Sequence, residues 1–385
     1  MSGVIEIGRT QVYPGPRWRL LCGSYTGAQR FAVDELQRMA QACLPYVLEV
    51  GPAPATSPGY TAPLILVGTV AEHALLRRLA EAGVIAVPDR SGGYTIAALD
   101  APWQPPQRLL LVAGADAAGV LHGVADLNTR VLGGDAFEER HASRRRTLDE
   151  LKPFGCTQAP RVDDRGIWTW GYVIYDYRRF LDNMARLRMN LLTIWNDAPP
   201  VNAPQIVEYA HQRGVRVVWG FHWGWGARQL NLADATHVAA LKRHVLETYE
   251  RDYAGLPHDG IYFQTVTEHH DTMLAGAPLA RRVCAVVNEI GGALLERHPR
   301  LWIQFGLHAT SIREHWTEFA ALDPRITITW EDAGVIPYAY WPLPDFREGV
   351  STAFAKGLDN VERTIGYSRQ LAALRGGQEF AMVAK

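Results

Sequence analysis

Residues 165–197 read RGIWTWGYVIYDYRRFLDNMARLRMNLLTIWND, and this stretch decides the fold. GIWTW (166–170) is a short aromatic and β-branched run, the pattern of a strand. YDYRRFLDNMARLRM (175–189) carries apolar residues at helical spacing, and NLLTIWND (190–197) is a second strand. Strand, helix and strand within so short a span imply parallel pairing through a right-handed crossover. Working outward, the unit repeats. Helical stretches APQIVEYAHQRG (203–214), HVAALKRHVLETYERD (237–252), PLARRVCAVVNEIGGALLERH (278–298), IREHWTEFAALD (312–323) and GLDNVERTIGYSRQLAALR (357–375) alternate with strands. Those strands are VRVVWGFHW (215–223), DGIYFQTVTE (259–268), LWIQFGLHA (301–309), ITITWED (326–332) and EFAMVAK (379–385). So many consecutive units close most economically into a TIM-type (β/α) barrel over residues 151–385. An open doubly wound sheet calls for a topological switch and usually a glycine-rich phosphate loop, and neither GxGxxG nor a P-loop occurs. The pattern stops near a seventh strand. The expectation is an incomplete, C-terminally truncated barrel, or one whose open edge is covered by a partner such as a second copy in a homo-oligomer.

Upstream, residues 1–150 read as a small α+β domain. GAQRFAVDELQRMAQ (27–41) spaces Phe31, Leu36 and Met39 as a helix does. PLILVG (63–68) is a buried-type strand leading into the amphipathic AEHALLRRLAEAG (71–83), which glycine stops. GGYTIAAL (92–99) and RLLLVAG (108–114) form a strand pair about a proline-rich turn, and DAAGVLHGVADLNTRVLG (116–133) is a helix for that sheet. EERHASRRRTLDE (138–150) is dense in charge and reads as a connecting strand or surface linker.

The composition excludes several classes. Thirty-nine basic residues balance forty acidic ones, so nothing calls for nucleic acid or an anionic membrane as partner. Cys22, Cys43, Cys156 and Cys284 are scattered and no CxxC occurs, which argues against a zinc knuckle or a disulfide scaffold. MSGVIEIGRTQ lacks the basic-then-apolar order of a signal peptide, and no apolar run approaches a membrane span. A cytoplasmic protein without cofactor is expected.

In a barrel of this kind the site lies at the C-terminal ends of the strands. Reading those ends in order gives Trp168 and Trp170; Trp195, Asn196 and Asp197; His222 and Trp223; Gln264, Thr267, Glu268, His269, His270 and Asp271; His308; and Trp330, Glu331 and Asp332. Rings that stack on sugar faces beside groups that bond hydroxyls make a carbohydrate site. Each residue has a plainer use. A tryptophan fills cores, Asn196 and Asp197 can cap the next helix, and His222 and His308 can be satisfied core histidines. Glu268 follows an apolar strand, where desolvation raises a carboxyl pKa and suits it to general acid work. Its alternative is an ion pair with a cation such as Arg281. Glu331 and Asp332 follow ITITW, and alternation sends them to opposite faces. Ile326, Ile328, Trp330 and Asp332 share one parity and Thr327, Thr329 and Glu331 the other, so the more polar mouth favours Glu331 pointing inward. Two carboxylates flanking one bond can cleave a glycoside, one as acid and the other activating water or attacking directly. His269, His270 and Asp271 are contiguous and converge poorly on a metal, and HExxH is absent, so no metal is expected.

LLLVAGADAAGVLHGVADL (109–127) resembles the small α+β domain that precedes the barrel in family 67 α-glucuronidases and family 20 β-hexosaminidases. Residues 165–197 are similar to the first barrel units of those enzymes, as is the order of elements through WEDAG (330–334). The resemblance implies a glycoside hydrolase acting on an oligosaccharide. The hexosaminidases place an Asp before the acid Glu on strand four; here Thr267 precedes Glu268, which argues against the substrate-assisted route. The inverting α-glucuronidases carry an acid Glu near the end of strand four, matched by Glu268, and later carboxylates, for which Glu331 or Asp332 stands. The competing expectation is a non-catalytic carbohydrate-binding protein or an inactive barrel fragment.

Overall fold

The structure, a computed structural model, describes residues 15–42, 44–55, 61–103, 105–130, 132, 148–170, 176–196, 198–224, 227, 229–267, 271–308, 312–331, 369–376 and 380–383. The chain divides into two compact units. One comprises residues 1–165, 176–190 and 209–215, and the other residues 166–175, 191–208 and 216–385.

Among the described residues the first unit is built on a six-stranded sheet. Its strands are β1 (Arg19–Cys22), β2 (Glu49–Pro52), β3 (Leu64–Thr69), β4 (Tyr94–Asp100), β5 (Arg108–Gly114) and β6 (Phe154–Gln158). They lie in the order β2-β1-β3-β5-β4-β6, with β2, β1, β3 and β5 parallel and β4 antiparallel to both its neighbours. Alternation along the strands splits the apolar residues between two cores. Leu20, Ile65, Val67, Leu110 and Val112 meet α1 (Gly27–Gln41) and α3 (Ala117–Arg130) on one face. Leu21, Leu64, Leu66, Leu109 and Leu111 meet Leu75, Leu76 and Leu79 of α2 (Ala74–Glu81) on the other. Full burial of each such leucine contributes about 1.5–3 kcal/mol. Helix α4 (Tyr177–Arg186) also belongs to this unit: Arg186 grips the Glu35 carboxylate of α1 with both Nε (2.8 Å) and Nη2 (3.0 Å). The expected strand pair and the three expected helices are present, whereas β1, β2 and β6 went unread. The linker residues 138–147 lie outside the described residues.

Among the described residues the second unit is a curled, wholly parallel sheet of seven strands. They are β7 (Gly166–Trp170), β8 (Leu191–Trp195), β9 (Arg216–Gly220), β10 (Gly260–Gln264), β13 (Trp302–Leu307), β14 (Ile326–Trp330) and β15 (Phe380–Met382). A short hairpin, β11 (Met273–Leu274) with β12 (Ala277–Pro278), follows β10. Each strand of this sheet pairs with the sheet's preceding member, the winding of an incomplete TIM-type barrel and not of a doubly wound sheet. The connecting helices are α5 (Ala203–His211), α6 (Ala235–Thr248) and α7 (Leu279–Arg297). Ile261, Phe263, Ile303, Phe305, Ile326 and Ile328 form the helix-facing side, all fully buried. On α7, Gly291 brings the backbone close to Ile326 and Ile303. Two expected α-helices differ. Residues 237–252 begin as α6 but end in a π-turn at Tyr249–Tyr253, and 312–323 form a 3-10 helix over Arg313–Ala321. In the second, Trp316, Thr317 and Phe319 lose rotamer freedom in an α-helix, and Pro324 follows directly. No helix among the described residues is long and apolar enough to cross a membrane.

Candidate active site

Strand pairing fixes which side chains share the inner face of the parallel sheet. Trp168 stands opposite Thr193, Trp195 opposite Gly220, Gly220 opposite Tyr262, and Tyr262 opposite Gln304. One step further along, Gln264 stands opposite Gly306, and Gly306 opposite Thr329. At the N-terminal end of this face Trp302 donates its indole N–H to Thr327 Oγ1 (2.9 Å), and the Arg216 guanidinium lies over the Trp302 ring. Above them, Tyr262 packs its ring against Trp168 (centroids 5.3 Å) and Trp195 (5.7 Å). Gly220 makes room for this group, since a Cβ there would strike the Trp195 ring.

At the C-terminal ends of the strands the inner face turns polar. Glu331, the residue after β14, is 0% exposed. Its backbone N–H donates to Leu307 O (3.1 Å), continuing the ladder of β13 and β14 by one step. Its carboxylate is held from two other strands. Tyr262 Oη and Gln264 Nε2 both donate to Oε1, and His308 Nε2 stands 3.1 Å from Oε2. The Gln264 amide nitrogen also lies 3.4 Å from Tyr262 Oη and 3.3 Å from His308 Nε2. This convergence needs Gly306: a Cβ at that position would collide with both Tyr262 Oη and Glu331 Oε1. An oriented, desolvated carboxylate of this kind can hold a positive charge or accept a proton far more effectively than one in water.

Comparison with solved structures places this architecture. The chain is similar to the β-hexosaminidase of Streptomyces plicatus at a TM-score of 0.51 and 13% identity, over 97% of this chain and 70% of that one. It is similar to the family 20 β-N-acetylhexosaminidase of Streptomyces coelicolor A3(2) at 0.50 and 13%, over 96% and 71%. It is similar to CpGH84B at 0.51 and 13%, over 97% and 67%. With these neighbours the chain shares a TIM-type (β/α)-barrel fold. At these identities the likeness is one of fold, and the chain spans about two thirds of the lengths of those proteins. No family model matches the sequence, and neither does any curated protein.

Of the residues singled out from sequence, Glu331, Gln264 and His308 meet in one cluster, and Trp195 joins it through Tyr262. Asn196 is half-buried just beyond Trp195. His222 is exposed, its ring 6.4 Å from that of His244 on α6. Trp223 follows the end of β9. The chain has left β9 by that point, and the Trp223 ring, 1% exposed, stacks on Phe263 of the helix-facing side at 3.6 Å between centroids. Trp170 ends β7 in register with Trp195. Asp197, Glu268, His269 and Asp332 lie outside the described residues. Arg281, weighed as a partner for Glu268, donates both Nε (3.0 Å) and Nη2 (2.8 Å) to Glu318. Sequence reasoning missed Tyr262 and Gly306. Tyr262 was accessible, since it shares parity with Gln264 two residues on. Among the described residues no group of three His, Cys, Asp or Glu side chains could hold a metal.

Proposed function

We propose that this chain is a glycoside hydrolase acting on oligosaccharides, α-glucuronidase-like in specificity, by carboxylate general acid/base catalysis. The observation that carries the reading is the Glu331 carboxylate, cradled by Tyr262, Gln264 and His308 where the strands of a barrel-type parallel sheet end. In this reading Glu268 protonates the leaving oxygen, and Glu331 is the second carboxylate, with Asp332 beside it in sequence. Trp168 and Trp195 supply the apolar wall that sugar faces require. The hexosaminidase names of the neighbours make N-acetylhexosaminides a necessary comparison, although Thr267 stands where those enzymes carry an aspartate. The test is hydrolysis of aryl glycosides, N-acetylhexosaminides and uronic-acid-capped xylooligosaccharides by the protein and by Glu331→Gln and Glu268→Gln. Each variant should lose about 10²–10⁴-fold in kcat on whichever substrate is cleaved. Full activity in Glu331→Gln would remove that residue from the mechanism.

A second reading, carbohydrate binding without turnover, is favoured by one observation: Glu331 is wholly buried with both oxygens engaged, as a structural anion would be. Calorimetric binding of an oligosaccharide that the protein never cleaves would select it.

A further inference from the structure

The polar atoms around Gly306 are not all used. Among the described residues Gln264 Oε1, Gln304 Nε2 and Thr329 Oγ1 are buried without a hydrogen-bond partner, and the three residues are 1%, 3% and 5% exposed. They are neighbours on one face. Gln264 and Thr329 flank Gly306 in register on either side, and Gln304 lies two residues before it on β13. Buried amides and hydroxyls in native proteins are nearly always paired, with ordered water as the usual partner where protein supplies none. The orientation of the Gln264 amide is fixed by chemistry. Its nitrogen faces the Glu331 carboxylate as a donor, and turning the amide over would set oxygen against oxygen. The amide oxygen is therefore the acceptor left over, next to the anion.

We propose that Gln264, with Thr329 and Gln304 on the same face beside Gly306, binds a water molecule against Glu331, and that this water is the nucleophile of the hydrolysis. The second clause rests on the glycoside hydrolase reading; the first does not. A water that donates one hydrogen to Gln264 Oε1 and the other to Glu331 has its oxygen lone pairs turned away from both. In the reaction the water oxygen bonds to the anomeric carbon as the bond from that carbon to the leaving oxygen breaks. One water proton passes to Glu331, and the leaving oxygen takes its proton from Glu268. Gln264 gains and loses nothing; it holds the attacking atom in place, which is the part of catalysis that positioning supplies.

Two measurements test it separately. A high-resolution crystal structure of the unliganded protein should show an ordered water within hydrogen-bond distance of both Gln264 Oε1 and the Glu331 carboxylate, absent from Gln264→Met. No such water in the parent protein overturns the site, whatever the protein hydrolyses. Kinetically, Gln264→Met should lower kcat by about tenfold or more with KM changed less than about twofold. Thr329→Val, which keeps the side-chain shape, should show a smaller loss of the same kind and serves if Gln264→Met folds poorly. Water present and kcat unchanged in both variants overturns the nucleophile assignment. If the parent protein binds sugar but turns over nothing, the hydrolase reading and the nucleophile role fall together, while the water in the crystal still decides the site.

Discussion

At the scale of single residues, the interior of the parallel sheet is organised by what Gly306 leaves out. Tyr262 Oη and Glu331 Oε1 occupy the volume that a side chain there would fill. Gly306→Ala should destabilise the protein by about 1–3 kcal/mol through overpacking, read as a fall in Tm of about 2–4 °C for each kcal/mol. Tyr262→Phe keeps the ring against Trp168 and Trp195 but removes the hydroxyl that the new methyl would strike. The double variant should be more stable than the sum of the two single losses predicts, and strict additivity would show that the clash does not govern the site. Much of this was legible in part. Strand alternation alone separates Thr327, Thr329 and Glu331 from Ile326, Ile328 and Trp330, and the structure sets Glu331 among inner-face residues accordingly. Gly306 gave no signal, because a glycine inside a strand looks the same whether it serves a turn, a bulge or a close approach.

At the scale of elements, two buried polar side chains hold segments that hydrophobic pattern does not. His73 caps α2 with Nδ1, which accepts from Leu76 N–H, so its proton sits on Nε2, 3.2 Å from the Leu21 carbonyl of β1. The Nδ1 contact requires the neutral ring, and burial lowers its pKa from 6.5 to about 4. With the folded value below the unfolded one, the unfolded chain takes up the proton first as pH falls. Stability should therefore be level above about pH 6.5, decline to about pH 4 and level off below, a loss of roughly 3 kcal/mol from this group. Denaturant unfolding across that window should show a shallower decline in His73→Gln, and an unaltered slope would sink the assignment. In the parallel unit, Arg375 is buried and donates to the carbonyls of Leu322 (2.9 Å), Asp323 (3.2 Å) and Ile326 (2.7 Å), tying its helical turn to the segment that enters β14. Arg375→Met should cost about 2–4 kcal/mol by leaving those carbonyls unmet; a change under about 0.5 kcal/mol in chemical denaturation would mean that they find other donors. Elements were readable where they were long or strongly apolar, as β3, β5 and α7 are. β1 and β2 have four residues each, and the edge strand β6 has an exposed, mixed sequence, so hydrophobic period had too little to act on.

For the molecule as a whole, the repeat of strand and helix carried the architecture, because a parallel sheet wound in one direction leaves its mark on sequence order alone. The chemistry is less local. Whether a glycosidase inverts or retains depends on the separation of two carboxyl groups across the barrel mouth, about 6.5–9.5 Å with room for water in the first case and about 5–5.5 Å in the second. Glu331 follows the sixth barrel strand and Glu268 the fourth, so no single element contains the answer. The proposed water does bear on it. A water held by Gln264 and Glu331 attacks the sugar directly, from the face opposite the leaving group, and the product is then formed with inverted configuration. Proton NMR of the anomeric signal in the first minutes after mixing enzyme with substrate, before mutarotation, reads this out, and the expected product anomer is opposite to that of the substrate. Retention would mean that a protein carboxylate reaches the anomeric carbon before water does. The two readings also diverge in methanol. A retaining enzyme passes the glycosyl group from its covalent intermediate to methanol, whereas a site that binds one water before bond cleavage should give little methyl glycoside, and that of inverted configuration.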